Sequence, residues 1–222
     1  HSGVENYAMS NTSLASSNLQ RVAKLTEEQN MFMPCMAGTL GSPFLKMMCQ
    51  VKTANKCLDI GTFTGMSALA MAEGMGDLGS VITLENDEKI ARVAQQGFDE
   101  SSVGNKIKMI VGSADEAMKQ MQTRREKFDI IFIDADKEAY IKYYDLAMEG
   151  LLEEDGLLEE DGLVLVDNSL CALLYDKTDI RSQRLHEFNQ HVKNDKRVEQ
   201  VLLTMREGIT MVRRITDQAI VG

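Results

Sequence analysis

From residue 56 to residue 166 the chain alternates between short apolar runs of strand length and longer segments with helical spacing of apolar residues. This alternation is typical of a parallel sheet covered by helices, because a crossover helix must return the chain before each new parallel strand. The pattern predicts strands at 56–60, 80–84, 106–111, 128–133 and 163–166, and helices at 67–73, 88–100, 115–121 and 138–152. It therefore predicts a doubly wound α/β fold.

The pattern changes in the last third of the chain. A predicted helix at 181–192 is followed by apolar runs at 198–205 and 209–215. These two runs are separated only by the connector Arg206-Glu207-Gly208. So short a connector requires the two final strands to be antiparallel neighbours. We therefore expect a mostly parallel sheet that ends in an antiparallel hairpin, unlike the nicotinamide-binding Rossmann arrangement.

The first forty or so residues are polar and helical in pattern. Their thin apolar stripe consists of Leu14, Leu19, Val22 and Leu25, and the residues expected to break the helical pattern are Pro34, Gly38, Gly41 and Pro43. We predict an N-terminal helical cap over residues 1–45, ahead of a core over residues 56–215. With 222 residues and 44% hydrophobic content, the chain is expected to form one domain over residues 1–222.

Charge and cysteine content exclude several classes of protein. A formal net charge of −10 disfavours nucleic acid and anionic membrane surfaces as partners. The four cysteines include no C-x-x-C pair, which argues against a zinc site or a redox dithiol. No apolar run approaches the ~20 residues that cross a bilayer. These features predict a cytoplasmic protein, although the chain begins at His1 without methionine and an upstream anchor or targeting segment stays open.

Oxygen-bearing side chains follow two of the predicted strands. Asp134 comes directly after the strand at 128–133, and Asp167 and Asn168 follow the strand at 163–166. If these strands are parallel neighbours, the three side chains meet at the carboxyl edge of the sheet. Two carboxylates and an amide oxygen suit Mg²⁺, Ca²⁺ or Mn²⁺, so the motifs predict a catalytic metal site. The alternative is that each aspartate only caps the segment that follows its strand.

A glycine turn follows the first predicted strand, in the segment Asp59-Ile60-Gly61-Thr62-Phe63-Thr64-Gly65-Met66-Ser67. It lacks the G-x-G-x-x-G spacing of a dinucleotide fingerprint. Asp59 would repel a phosphate but would pair with an ammonium group. Glu85, at the end of the second strand, is placed to bind both hydroxyls of a ribose, the alternative being an ordinary surface acid. The turn therefore suits a cationic, amino-acid-bearing nucleoside such as S-adenosylmethionine.

Several ordered motifs resemble one known family. They are Leu58-Asp59-Ile60-Gly61-Thr62-Phe63-Thr64-Gly65, Ile133-Asp134-Ala135-Asp136-Lys137-x-x-Tyr140, Val166-Asp167-Asn168, Asp195-Lys196-Arg197-Val198 and Arg206-Glu207-Gly208-Ile209-Thr210. Together they resemble the cation-dependent, S-adenosylmethionine-dependent O-methyltransferases of the caffeoyl-CoA and catechol type, over residues 56–215. The resemblance implies a class I methyltransferase fold, which is Rossmann-like with seven strands, and a homodimer.

The resemblance also implies roles for individual residues. The divalent-metal ligands would be Asp134, Asp167 and Asn168, with Mg²⁺ as the expected ion and Ca²⁺ or Mn²⁺ as alternatives. The S-adenosylmethionine site would contain Asp59, Gly61, Thr62, Ser67, Glu85, Asn86, Ser113, Ala114, Asp134 and Asp136. Lys137 would be the catalytic base beside Asp134, the alternative being a solvated lysine at a helix start.

The implied reaction is methyl transfer from S-adenosylmethionine to a hydroxyl of a catechol-type acceptor. A caffeoyl-CoA-like acceptor is less expected, because the sequence shows no clear basic motif for the phosphates of CoA. The acceptor loop Ser169-Leu170-Cys171-Ala172, Met66 in the glycine turn and the segment Cys35-Met36-Ala37 depart from the family pattern. The alternatives are a catalytically silent dimeric homologue that binds S-adenosylmethionine and a nicotinamide-dependent oxidoreductase.

A perfect tandem repeat precedes the last parallel strand. Residues 151–156 have the sequence Leu-Leu-Glu-Glu-Asp-Gly, and residues 157–162 repeat it. We expect the extra six residues to form a longer surface loop and assign them no function. If the second copy leads into the strand, the register that places Asp167 is retained.

Overall fold

The computed structural model describes residues 3–148 and 156–215. Within these ranges the strands are β1 Lys56–Ile60, β2 Ser80–Glu85, β3 Ile107–Val111, β4 Phe128–Ile133, β5 Leu158–Val166, β6 Val198–Leu203 and β7 Ile209–Arg214. The helices are α1 Gly3–Ser10, α2 Ser17–Glu28, α3 Gly38–Lys52, α4 Met66–Gly74, α5 Glu88–Asp99, α6 Ala114–Thr123, α7 Tyr140–Met148, α8 Cys171–Leu174 and α9 Ile180–Asn194. Most predicted elements are present, although several of their ends are shifted.

The strand order is β3-β2-β1-β4-β5-β7-β6. The pairs β1 with β2, β2 with β3 and β4 with β5 are parallel, whereas β7 is antiparallel to both β5 and β6. The predicted fold class, a mostly parallel seven-stranded sheet with a C-terminal antiparallel hairpin, is therefore confirmed. Contacts divide the chain into two compact units, with the boundary between Ala114 and Asp115.

The first unit has its core around β1 and α4. Cys57, Leu58 and Ile60 are fully buried, and every residue of α4 from Met66 to Ala72 is buried. Because α4 is covered by protein on all sides, it has no polar face, whereas α5 has one face toward solvent. This enclosure fixes the start of α4, where the glycine turn ends.

The N-terminal helical cap packs onto the first unit. Leu19, Val22 and Leu25 of α2 are buried, but Leu14 is 93% exposed, so its assignment to the apolar stripe was wrong. Leu14 precedes α2, which begins after the N-cap Ser16. Glu73 anchors the cap, because its carboxylate accepts hydrogen bonds from Ser16, Asn18 and Lys46.

The prediction that Gly38, Gly41 and Pro43 break the helical pattern was wrong. Helix α3 begins at Gly38 and continues through Gly41 and Pro43 to Lys52, and the interruption lies earlier, at a 3₁₀ turn over Met33–Cys35. Pro43 is the sixth residue of α3, so the helix lacks the backbone hydrogen bond that another residue would donate at this position. The helix continues past Pro43 because tertiary packing of its buried residues, among them Leu45 and Cys49, stabilises it.

The second unit is built on β4, β5, β7 and β6. Aromatic rings fill its core, where Tyr140 and Tyr144 of α7 pack edge-on against Phe188 of α9 at centroid distances of 5.6 and 6.1 Å. Helix α7 begins later than predicted, because Lys137–Ala139 form a 3₁₀ turn. The predicted end of this helix, at residues 149–152, lies outside the described residues. The short helix α8 was not predicted.

The second copy of the hexapeptide leads into β5, which is the condition under which we expected the register to be retained. Strand β5 begins at Leu158, within the second copy, and Leu157 and Leu158 are 0% and 2% exposed. The pairing register of β5 shifts between Phe128 and Ile130, and beyond this bulge Ile133 is paired with Val166. The expected register before Asp167 is therefore retained. Residues 151–155 of the first copy lie outside the described residues.

Within residues 3–148 and 156–215, no helix is both long enough and apolar enough to cross a membrane.

Candidate active site

The glycine turn between β1 and α4 has the backbone that its sequence predicts. Gly61 and Gly65 have φ values of +104° and +95°, in the left-handed region that favours glycine. A Cβ atom at Gly65 would lie 2.4 Å from Cε1 of Phe98. Gly65 is also the N-cap of α4 and provides no side-chain cap. The turn therefore combines close backbone packing with a helix N-terminus that suits a polar ligand.

A buried carboxylate organises this turn. Asp59 is 0% exposed, and its Oδ2 atom accepts hydrogen bonds from Oγ1 of Thr83 at 2.6 Å and from Oγ of Ser67 at 3.1 Å. The hydroxyl of Thr62 lies 2.6 Å from that of Thr83. Three of the predicted cofactor residues, Asp59, Thr62 and Ser67, are thus connected by one hydrogen-bond network at the end of β1.

Glu85 lies beside the turn, as predicted, and is 8% exposed, so the alternative of an ordinary surface acid was wrong. Its Oε2 atom accepts a hydrogen bond from the backbone N–H of Phe63 at 2.8 Å. Its Oε1 atom accepts hydrogen bonds from the N–H groups of Asn86 and Asp87 at 2.9 and 3.0 Å. A carboxylate accepts about four hydrogen bonds, so Glu85 retains capacity for a ligand hydroxyl.

The remaining predicted cofactor residues of the first unit follow β3. The N–H of Gly112 donates to the carbonyl of Glu85 at 2.8 Å, Ser113 is exposed, and α6 begins at Ala114. The carboxyl ends of β1, β2 and β3 therefore bring together Asp59, Gly61, Thr62, Ser67, Glu85, Asn86, Ser113 and Ala114. The other two predicted cofactor residues, Asp134 and Asp136, belong to the second unit.

The predicted metal ligands lie at the carboxyl ends of β4 and β5. Ile133 and Val166 are paired across these strands, and Asp134 and Asp167 are the next residue of each. The backbone N–H of Asp167 donates to the carbonyl of Ile133 at 3.0 Å. Asn168 follows with φ +62°, a left-handed conformation that asparagine tolerates. The prediction that adjacent strands deliver Asp134 and Asp167 to one edge is thus confirmed.

The amine of Lys137 lies within this cluster. Its Nζ atom donates to Oδ1 of Asp134 at 2.9 Å and to Oη of Tyr140 at 2.7 Å. The side chain of Lys137 is 15% exposed, so the alternative of a solvated surface lysine was wrong. The 3₁₀ turn before α7 directs the lysine back toward the strand end. The site therefore holds an ammonium group in contact with a partly buried carboxylate.

Burial and mutual repulsion make the two carboxylates difficult to ionise together. Burial raises the pKa of Asp134, an effect that the positive charge of Lys137 partly offsets. Burial and the negative charge of Asp134 raise the pKa of Asp167 to about 7. Two buried carboxylates side by side are stabilised by a bound cation, which favours the ionised form of both.

The donor set fits a divalent cation through oxygen ligands. No group of three or more His, Cys, Asp and Glu side chains suited to a metal occurs in the part of the chain that the structure describes. The candidate site has two carboxylates and the amide of Asn168, a set that hard cations accept when water supplies the other ligands. Asp134 contacts Lys137 and caps no helix, whereas Oδ1 of Asp167 accepts the N–H of Asn168 at 2.7 Å and so also caps the segment after β5.

The connector before β7 adds two charged residues that the sequence interpretation missed. The N–H groups of Ser169 and Leu170 donate to the carbonyls of Gly208 and Glu207 at 3.1 and 2.7 Å. Arg206 approaches Asp167, with Nη1 3.7 Å from Oδ2. The sequence indicates this approach through the charged pair Arg206-Glu207. The pair lies in the short connector to β7, and β7 is the neighbour of β5, the strand that precedes Asp167.

Asp136, the residue before Lys137, has a structural contact with α7. Its Oδ1 atom accepts a hydrogen bond from Oη of Tyr143 at 2.7 Å, and the residue itself is exposed. The hydrogen bond fixes the segment between β4 and α7. The role of Asp136 in binding a cofactor stays a prediction.

Two relatives share sequence with this chain. A protein of Dictyostelium discoideum, "Probable caffeoyl-CoA O-methyltransferase 2", is 29% identical over 178 residues, which cover 78% of this chain and 74% of the relative. A "Catechol O-methyltransferase" of Niastella koreensis is 36% identical over 106 residues, which cover 47% of this chain and 48% of the relative.

A solved structure shares the fold. The methyltransferase PaMTH1 of Podospora anserina, in a crystal structure with bound SAH, has a TM-score of 0.82 and 26% sequence identity to this chain. The likeness covers 96% of this chain and 94% of PaMTH1. It therefore includes both the glycine turn and the strands that carry the candidate metal ligands.

A family model described as O-methyltransferase matches residues 9–215. The match includes every candidate site residue, from Asp59 to Asn168. It also includes the helical cap from Met9 onward and the C-terminal hairpin. The chain therefore belongs to the O-methyltransferase family.

Proposed function

We propose that this O-methyltransferase transfers a methyl group from S-adenosylmethionine to one hydroxyl of a catechol-type acceptor and depends on a divalent cation, of which Mg²⁺ fits best. One observation carries the proposal: Asp134 and Asp167 lie side by side at the ends of β4 and β5, and the partly buried amine of Lys137 is 2.9 Å from Asp134. Such a cluster suits an acceptor that must lose a proton.

The first unit provides the proposed donor site. The glycine turn admits a close ligand, the N-terminus of α4 has no side-chain cap, and the carboxylate of Glu85 retains hydrogen-bonding capacity. These features suit the ribose and the amino-acid group of S-adenosylmethionine. The SAH-bound relative PaMTH1 supports this choice of donor.

The second unit provides the proposed acceptor site. Asp134, Asp167 and Asn168 would hold the cation, which when bound lowers the pKa of a coordinated phenol. Lys137 would accept the phenolic proton when its amine is neutral or stabilise the phenolate when it is charged. Tyr140 would hold the amine of Lys137 in place through the hydrogen bond to its hydroxyl. The burial of these groups excludes bulk water from the acceptor oxygen.

The names of the two relatives support a small aromatic acceptor with adjacent hydroxyls, either free or as a CoA thioester. Of these, a free catechol is proposed, since neither the sequence nor the described site shows a basic cluster for CoA phosphates. The homodimer also stays a proposal, as does the single domain over residues 1–222.

The test measures methyl transfer from labelled S-adenosylmethionine to a panel of catechols, with Mg²⁺ or with EDTA. The wild type is compared with Asp167→Ala and with Asp176→Ala, an exposed aspartate that contacts Thr178. We expect Mg²⁺-dependent turnover that Asp167→Ala abolishes and Asp176→Ala leaves intact, with donor affinity unchanged in both.

Other results would contradict parts of the proposal. Turnover that EDTA does not reduce would exclude the role of the cation. Donor binding without turnover on any acceptor would support the silent homologue. Failure of the wild type to bind S-adenosylmethionine would exclude the proposed donor.

A further inference from the structure

Arg206 is held in an unusual position for a basic residue. It lies in the connector between β6 and β7 with φ +52°, in the left-handed region that is unfavourable for a residue with a side chain. Its side chain is only 12% exposed. A long cationic side chain is normally solvated, so both its backbone and its burial require a compensating interaction.

One charged contact of Arg206 is with the candidate metal site. Nη1 of Arg206 lies 3.7 Å from Oδ2 of Asp167, whose side chain is 4% exposed. The other oxygen of Asp167, Oδ1, accepts the N–H of Asn168. At 3.7 Å the guanidinium neutralises Oδ2 without a short hydrogen bond to it. The positive charge of Arg206 also lowers the pKa of both Asp134 and Asp167.

Glu207 supplies the opposite charge at the next position. Its Oε2 atom lies 3.4 Å from Nε of Arg206, and its negative charge raises the pKa of Asp134. The connector therefore places one cation beside Asp167 and one anion beside that cation. Their effects on any ion bound by the carboxylate cluster must have opposite signs.

We infer that Arg206 is an internal cation that competes with the divalent ion for Asp167 and so weakens metal binding in this chain. The inference rests on the proposed function, because it requires Asp134, Asp167 and Asn168 to be the metal ligands. When the ion is absent, Arg206 neutralises Asp167. When the ion binds, it must displace that interaction and approach a like charge in a poorly solvated site.

The test measures Mn²⁺ binding to the full chain, without an acceptor, by titration calorimetry and by the electron paramagnetic resonance signal of free Mn²⁺. Four proteins are compared: the wild type, Arg206→Met, Arg206→Lys and Glu207→Gln. Binding is measured at a pH above which the affinity of each protein no longer rises, so that protons do not compete for the carboxylates. There we expect Arg206→Met to bind Mn²⁺ about tenfold more tightly, because one repulsive charge is removed. Arg206→Lys keeps the charge and is expected to remain within about threefold of the wild type.

Glu207→Gln is the matched control on the same connector, and it is expected to weaken Mn²⁺ binding. A disturbed connector would change the affinity of both variants in the same direction, whereas a charge effect changes them in opposite directions. Thermal unfolding of each protein verifies that the fold is retained.

Two results separate this inference from the proposed function. Equal Mn²⁺ affinity in the wild type and Arg206→Met, together with Mg²⁺-dependent turnover, would overturn the role of Arg206 and leave the metal site standing. Absence of Mn²⁺ binding in all four proteins, with turnover that EDTA does not affect, would overturn both. Weaker binding by Arg206→Met would also overturn the inference.

Discussion

The hydroxyl of Tyr140 accepts a hydrogen bond of 2.7 Å from the amine of Lys137, and the tyrosine ring is fully buried against Phe188. The packed ring makes Tyr140 a rigid support for a flexible side chain. The lysine amine is thereby held between one carboxylate and one phenol, which fixes the direction in which it meets an acceptor oxygen.

We predict that Tyr140→Phe lowers kcat by about ten- to a hundredfold, because the amine of Lys137 loses a partner that positions it. The ring packing against Phe188 is retained, so the free energy of unfolding should fall by only about 1 kcal/mol. The control is Tyr144→Phe, which removes the hydrogen bond that the hydroxyl of Tyr144 donates to Asp195. It should reduce stability without changing kcat. Equal kcat loss in both variants would exclude a positioning role for Tyr140.

Replacement of Lys137 distinguishes a base from a counter-charge. Lys137→Met should reduce turnover by about 10²- to 10⁴-fold, the usual contribution of a general base. Lys137→Arg keeps the positive charge but provides no neutral amine, because a guanidinium does not lose its proton in proteins. We therefore expect Lys137→Arg to be as inactive as Lys137→Met, as measured by single-turnover methyl transfer. Activity near the wild-type level in the arginine variant would show that the charge alone is required.

Gly65→Ala should disturb the glycine turn. The new Cβ atom would lie 2.4 Å from Cε1 of Phe98, and the residue has φ +95°. The clash and the backbone strain together should lower the free energy of unfolding by about 2–3 kcal/mol. S-adenosylmethionine should also bind more weakly, as measured by calorimetry. Gly76→Ala is the control, since a Cβ atom there meets nothing within 4 Å, and it should be close to neutral.

Asp195 should stabilise the fold in a pH-dependent manner. Hydrogen bonds from the side chain of Arg197, against the opposing effect of burial, lower the pKa of Asp195 to about 2. An unfolded chain has an aspartate pKa of about 3.9. The contribution is therefore complete above about pH 4 and is lost as the pH falls toward 2.

The measurement is urea unfolding of the wild type and Asp195→Asn between about pH 1 and pH 7, a range that spans both pKa values. The stability difference between them should be largest near neutral pH and should disappear at the acid end. Asp179→Asn is the comparison, because Asp179 pairs with Arg181 at the same spacing but is more exposed. Its effect should be smaller. A difference that stays constant with pH would contradict the prediction.

The sequence predicted most of the sheet because most strands contain a compact apolar run, although β5 begins at Leu158, earlier than the predicted residue 163, and includes acidic residues. β1 and β4 have the predicted bounds, and the pairing of β4 with β5 brought Asp134 beside Asp167 as expected. The antiparallel order of β6 and β7 also followed, since so short a connector permits no crossover.

The errors have local causes. Pro43 was interpreted as a helix breaker, but it lies inside α3, where tertiary packing of the buried residues around it stabilises the helix. Leu14 was assigned to a stripe that begins only after the N-cap of α2. Helix α8 has four residues, too few to show a period. The approach of Arg206 to Asp167 depends on tertiary packing between the two connectors, which sequence spacing does not specify.

The duplicated hexapeptide has a consequence for how this protein can vary. The bulge between Phe128 and Ile130 lies upstream of the pairing that places Asp167, so extra residues at the bulge do not change the register at the end of the strand. The two copies are identical, so removal of either one produces the same polypeptide, with the same residues entering β5. The start of β5 is thus a position where evolution or a protein engineer can alter chain length while the chemistry at the far end of the strand is conserved.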